Sequence, residues 1–347
     1  MSSFQLSLLG LGALVLLAVW GFNLWTSRRS RPRQAAVLEQ SLEHRASVDE
    51  VLETDVPVDP VLEDDFSHLP LPERKPSLDP LIDVVASVEV DGLVSGDAAL
   101  AAMPSTRRVG SKAFFAEGIS ESSGQLEPLL PGHRYTGFQV GIQLANRLGA
   151  LNEIEFSEFV VKSQAFADAI NASVDFPDML EEVARARELD QFASAHDAQL
   201  SLTLHARSSA WSPGYVQQHA ARHGFVAGTM PGRMVLPSPV QGLPPVLALS
   251  FDMQAALAED PDMSAVRAIV LSLDVPQVSR QEQPFERLCQ VAQTLSADMD
   301  AVLTDGANNT LSDEALAQIG VELQGLYNAL DERELSAGSA QARRLFS

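Results

Sequence analysis

The chain has 347 residues, with 24 Lys and Arg against 46 Asp and Glu and a formal net charge of -22. That length suffices for about two domains, and the acidity excludes a nucleic-acid binder, which must set cations against phosphates. The single cysteine, Cys289, excludes an internal disulfide framework and a thiolate zinc site.

Residues 4–25 (FQLSLLGLGALVLLAVWGFNLW) carry no charged side chain. As a helix they would extend roughly 33 Å, about the hydrocarbon thickness of a bilayer. Trp20 and Trp25 sit near one end, and Arg28, Arg29, Arg31 and Arg33 follow, with no Lys or Arg before the run. This asymmetry predicts a single-pass transmembrane helix with the N-terminus outside and the body of the protein in the cytoplasm. A cleaved signal peptide fits poorly, because it needs its positive charge before the apolar run and a small-residue cleavage site after it.

Residues 28–80 read as an acidic, proline-containing linker. Between Glu39 and Asp79 lie 12 acids against Arg45, Arg74 and Lys75. Such a segment buries too little apolar area to offset chain entropy. Residues 34–53 could hold a short helix through Val37, Leu38 and Leu42.

From residue 81 the patterning becomes that of an α+β protein: an antiparallel sheet with helices on one face. Strands are expected at 81–90, 112–116 and 135–144, a short helix at 96–103 and an amphipathic helix at 155–170 carrying Phe156, Phe159, Val160, Phe166 and Ile170. These form one α+β unit over 81–176, followed by a helical connector over 177–196. A second unit over 197–332 opens with a strand at 199–205. A helix follows that Ser212 caps and Pro213 begins, then strands at 233–236, 245–252 and 269–275. A helix from Pro284 carries Phe285, Leu288, Ala292, Leu295 and Met299. A strand at 301–303 precedes a last helix from Ser312, with Leu316, Ile319, Leu323, Leu326 and Leu330 on its stripe. Residues 333–347 read as a small polar tail.

The two units echo each other. Displaced by 129 positions without a gap, Ile142 meets Leu271, Leu144 meets Leu273, Phe156 meets Phe285, Phe159 meets Leu288 and Ile170 meets Met299. This points to two tandem degenerate copies of one fold.

Catalytic and metal constellations are sparse. There is no phosphate-binding glycine loop and no nucleophile elbow. His219 and His223 have a metal-ligand spacing, but no zincin glutamate lies between them and no third ligand lies nearby. Cys289 reads as a partly buried small side chain. No enzyme, metal site or cofactor is expected.

Five pieces in order, SPGYVQQHAARHGF, PPVLALSFDM, AIVLSLDVPQ, PFERLCQVAQTLSADMDAVLTDG and LSDEALAQIGVELQGLY, resemble the C-terminal FtsZ-binding domain of the ZipA family of cell-division proteins. The resemblance implies a span, a linker and a domain whose uncovered sheet face receives the C-terminal peptide of FtsZ. Carried over by strand alternation, it implies Thr203, Met230, Gly232, Met253 and Ser272 as partner-binding positions. It implies an inner-membrane adaptor at the division septum whose partners are FtsZ and, through the N-terminal helix, the lipid bilayer. The alternative expectation is an envelope-associated ligand-binding sensor or enzyme with a site between the two units.

Overall fold

The computed structural model describes Arg33 and residues 78–260, 263–307 and 309–347. The apolar run at 4–25 and nearly all of the acidic stretch lie outside the described residues. Among the described residues no helix is long and apolar enough to cross a membrane. The chain divides into two compact units: the first gathers 78–197 with 339–347, the second 198–338 with Arg33.

The first unit contains β1 (Asp83–Ser95), α1 (Gly96–Ala102), β2 (Arg108–Val109), β3 (Lys112–Ser120), β4 (Leu126–Pro128) and β5 (Arg134–Gln143). It continues through β6 (Ala145–Asn146), β7 (Gly149–Ala150), α2 (Glu153–Ala169), β8 (Ala172–Asp175) and α3 (Met179–His196). Its main sheet runs β2-β3-β5-β1-β8 with β4 on β3, and each pairing is antiparallel. Alternation sends Val84, Ala86 and Val88 of β1 and Phe138, Val140 and Ile142 of β5 into the core. There they meet α2, whose Phe159 lies 6.1 Å from Phe114 and whose Phe166 lies 5.8 Å from Phe138, ring centre to ring centre. The start of α2 is fixed by a capping box: Asn152 Oδ1 accepts from the amides of Ile154 and Glu155, and the Asn152 amide donates back to Glu155 Oε2.

The second unit contains β9 (Gln199–Ala206), α4 (Pro213–Arg222), β10 (Val226–Ala227), β11 (Arg233–Leu236), β12 (Leu247–Phe251) and α5 (Met253–Ala256). After these come β13 (Ala268–Asp274), α6 (Pro284–Asp298), β14 (Ala301–Thr304) and α7 (Asp313–Glu332). The sheet runs β10-β11-β12-β13-β9-β14, again antiparallel throughout. Met234, Leu249, Leu271 and Leu202 stand in one cross-strand row and are all buried. Helix α6 packs on β13, β9 and β14, with α4 beside it, and α7 approaches it where Gly320 faces Phe285. Trp211, fully buried, donates its indole N–H to the Met299 carbonyl at 3.0 Å.

The two sheets share a plan. The first reads β2-β3-β5-β1-β8 and the second, past its edge strand β10, reads β11-β12-β13-β9-β14. In both, a helix follows the third strand of that order and the chain returns as the fifth. The displacement of 129 carries β8 onto β14 end to end.

Three features depart from the sequence reading. The helix expected as a connector, α3, belongs to the first unit, where it buries Val183, Ala186, Leu189 and Ala193, because its apolar stripe packs on α2, β6 and β7. The segment expected as a polar tail contains α8 (Ala340–Leu345), capped by Ser339, with Ala342, Leu345 and Phe346 buried. Three apolar residues at helical spacing suffice to seat one and a half turns, but they are too few to show a period. Arg33, expected within the linker, is docked on the second unit. Its amide donates to Ala210 O at 2.7 Å, its carbonyl accepts from Ser212 N at 2.8 Å, and Nη2 meets Asp300 Oδ2 at 3.0 Å.

Candidate partner-binding face

On the second sheet, the rows between the leucine rows point away from α6. One row holds Arg233, Ser250, Val270, Thr203 and Thr304; the next holds Val235, Ala248, Ser272 and Ser201. Apart from Thr304, these side chains are half-buried or exposed. Most are small, so backbone and Cβ atoms lie near the surface. Val270 and Ala248 form an apolar centre, flanked by the hydroxyls of Ser250, Ser272, Thr203 and Ser201.

The β14 end of this face is closed by the chain itself. Thr304 is 5% exposed and donates its hydroxyl to Thr203 O at 3.3 Å. The loop after it folds back, with Asp305 Oδ1 accepting from the amides of Ala307 and Asn309, each at 2.8 Å. These bonds hold the Asp305 carboxyl below its ordinary range, with the Asn309 amide the largest cause. The bare part of the face therefore spans β11, β12, β13 and β9.

The structure divides the five residues implied by the resemblance. Thr203 and Ser272 lie on the bare face, on neighbouring strands and in adjacent rows. Ser272 donates toward Ala248 O at 3.5 Å, a weak bond that leaves the hydroxyl available. Met230, Gly232 and Met253 gather at the end of the sheet, where alternation does not apply because none of them is in a strand. Gly232 lies opposite Phe251, in the core-facing register, with its carbonyl accepting from Phe251 N at 2.9 Å. Its φ is +74°, and a Cβ there would stand 2.7 Å from Phe251 O, so glycine is required by the turn itself. Met230, 54% exposed, and Gly232 line a groove of about 480 Å³ with Gln217 and Ala221 of α4, on the helix-covered side. Met253 begins α5 beside Gly232 and is 49% exposed.

Sequence reasoning passed over Val270, Ala248 and Val235. They alternate out of phase with the leucines, and a small or β-branched residue between two leucines gives no sign of which face is bare.

The other singled-out groups have structural surroundings. His219 is buried with its ring 4.3 Å from Tyr215, and burial, then Arg222, pulls it below the ordinary histidine value. His223 Nε2 lies 3.7 Å from Asp298 Oδ2. Among the described residues no three His, Cys, Asp or Glu are placed to hold a metal ion. Burial, with Glu286 nearby, pushes the Cys289 thiol up to about 11, which disfavours the nucleophilic thiolate.

Residues 254–321 match the family model of ZipA, C-terminal FtsZ-binding domain. The match runs from within α5 into α7; of the five implied positions it includes Ser272 and begins one residue past Met253. No curated protein matches the chain significantly. Among solved structures, the berberine bridge enzyme from Eschscholzia californica, in a monoclinic crystal form, is similar at 10% identity and a TM-score of 0.16, covering 76% of this chain and 53% of that one. The chain thus spans about half the length of that enzyme, and a likeness at that score carries no argument.

Proposed function

We propose that the protein is a non-catalytic cell-division adaptor: the bare face of β11, β12, β13 and β9 receives the C-terminal peptide of FtsZ, and the apolar run at 4–25 anchors the chain in the bacterial inner membrane. The observation that carries the reading is that the match over 254–321 falls in the unit whose sheet keeps one face uncovered. Val270 and Ala248 supply the apolar floor, and Thr203 and Ser272 supply hydroxyls for peptide polar groups. Met253, 49% exposed at the end of the sheet, adds an adaptable apolar contact.

A modest single-site affinity suffices for this role. Filaments present many tails, and an anchored chain raises the effective concentration of each contact. Septal enrichment follows from that avidity.

The test is titration of a labelled FtsZ tail peptide into the full chain in lipid nanodiscs. Binding should weaken at least tenfold, about 1.4 kcal/mol, in Val270→Glu, because a charge is then set at the centre of the contact. Absence of binding at about 1 mM peptide, or binding indifferent to Val270→Glu, overturns the reading. Loss of membrane association on deleting residues 4–25 tests the anchor separately.

A further inference from the structure

The first unit also has a sheet face turned away from its covering helix, and part of that face is occupied. Asp83 of β1 lies opposite Gln143 of β5, and Phe115 of β3 lies opposite Gly141, so all three share the side away from α2. The segment 339–347 folds onto them. Arg344 forks onto Asp83, Nη1 to Oδ2 at 2.9 Å and Nη2 to Oδ1 at 2.6 Å, and Asp83 has no exposed surface. The same guanidinium carbon sits 4.5 Å from the centre of the Phe115 ring. Gln143 Nε2 donates to the Arg344 carbonyl at 2.7 Å, and Gln341 Nε2 donates to Asp79 Oδ2 at 2.8 Å. Leu345 and Phe346 are 0% and 1% exposed.

The receiving groups are held by bonds that do not involve the segment. Asp83 Oδ2 also accepts from Asp79 N at 2.8 Å, and Arg185 Nη2 donates to the Asp83 carbonyl at 2.6 Å. Phe115 and Gln143 stand on paired strands. A carboxylate floor, an aromatic wall and an amide that reads a main-chain carbonyl are thus preset on rigid elements. The segment answers with a short linear pattern: one arginine and the two apolar residues after it. Bidentate arginine recognition over an aromatic ring is specific in a way that lysine or an apolar residue does not reproduce.

We infer that this end of the first unit's sheet is a peptide-binding site in its own right, closed in cis by residues 339–347, whose ligand class is a short peptide carrying arginine followed by two apolar residues. A peptide of that chemistry from another chain enters by displacing the cis segment, whose tether gives it an effective concentration on the order of millimolar. The inference does not rest on the partner reading of the second unit.

The experiment uses a fluorescein-labelled peptide of residues 339–347 and two proteins: a chain ending at Gly338 and the full chain carrying Arg344→Met. The chain ending at Gly338 should bind the peptide saturably. The Arg344→Met full chain should bind it at least about tenfold more tightly than the unaltered full chain, whose own arginine competes. The Arg344→Met peptide should bind at least about tenfold more weakly than the natural one, because it leaves Asp83 buried without its cation. If the truncated chain does not fold, as judged by near-UV circular dichroism, the full-chain comparison decides alone. Failure of the Arg344→Met full chain to take up more peptide than the unaltered chain, or equal binding of the natural and Arg344→Met peptides, overturns the inference.

Discussion

At Asp83 two opposing forces meet. Burial raises its carboxyl above the ordinary value, while the Arg344 fork and the Asp79 amide pull it down, and burial prevails. The folded state therefore holds this proton more tightly than the unfolded chain. Its contribution to stability is complete below the ordinary carboxylate value and is lost as pH rises through the folded one. Arg344→Met removes the main counterforce, raises the folded value further and widens that window. The difference in unfolding free energy between Arg344→Met and the unaltered chain, read from urea melts, should be smallest in acid and grow as pH rises through the carboxylate range, reaching about 3 kcal/mol near neutrality. A pH-independent difference would show that the pair does not titrate as described. Lys112 is a second buried charge: Nζ donates to Asn146 Oδ1 at 2.8 Å, to Ser111 Oγ at 3.1 Å and to the Gly149 carbonyl. Lys112→Met leaves those acceptors without their donor and should cost about 2 kcal/mol in denaturant melts. Gly232→Ala should destabilise by at least about 1 kcal/mol whatever its effect on binding, because φ +74° and the 2.7 Å approach to Phe251 O act on the fold.

At the scale of elements, alternation sorts consequences by face. Leu249 is fully buried, and its neighbour Ala248 points to the bare side. Leu249→Asp should cost more than about 4 kcal/mol and abolish cooperative folding of the second unit. Ala248→Asp should cost about 1 kcal/mol or less and remove partner binding; urea melts read alongside peptide titration distinguish the two. The helix termini were legible in the same way. Ser212 with Pro213, Ser312 with Asp313 and Glu314, and Pro284 mark starts that the structure places at those residues. Removing the capping box of α2 with Asn152→Ala should cost about 1 kcal/mol. The short pieces were not legible. Strands of two or three residues such as β2, β4, β6 and β7, and the six-residue α8, are held by their neighbours rather than by a pattern of their own.

At the scale of the whole chain, the docking of Arg33 bears on the proposed anchor. If residues 4–25 span the bilayer, eight peptide units separate Trp25 from Arg33, a reach of less than about 30 Å. Docked at Ala210, Ser212 and Asp300, Arg33 would keep the second unit close to the lipid. Energy transfer from a dye on Leu257→Cys, in a Cys289→Ala background, to acceptors in the headgroups should be high and should fall in Arg33→Ala. Low transfer in both would mean that the second unit is not held there.

The sequence by itself determined the α+β class, the leucine and phenylalanine stripes of both units, most helix starts and the echo between the halves. Each of these is written in a local period, which survives without knowledge of what packs against it. Strand alternation also put Thr203 and Ser272 on the uncovered face, but only the tertiary structure decided that Met230, Gly232 and Met253 gather off the strands at its end. It also decided that Arg344 closes over Asp83 and that Arg33 is pinned to Asp300. Those are pairings between residues far apart in the chain, set by strand register and chain reversal, and no local pattern encodes them.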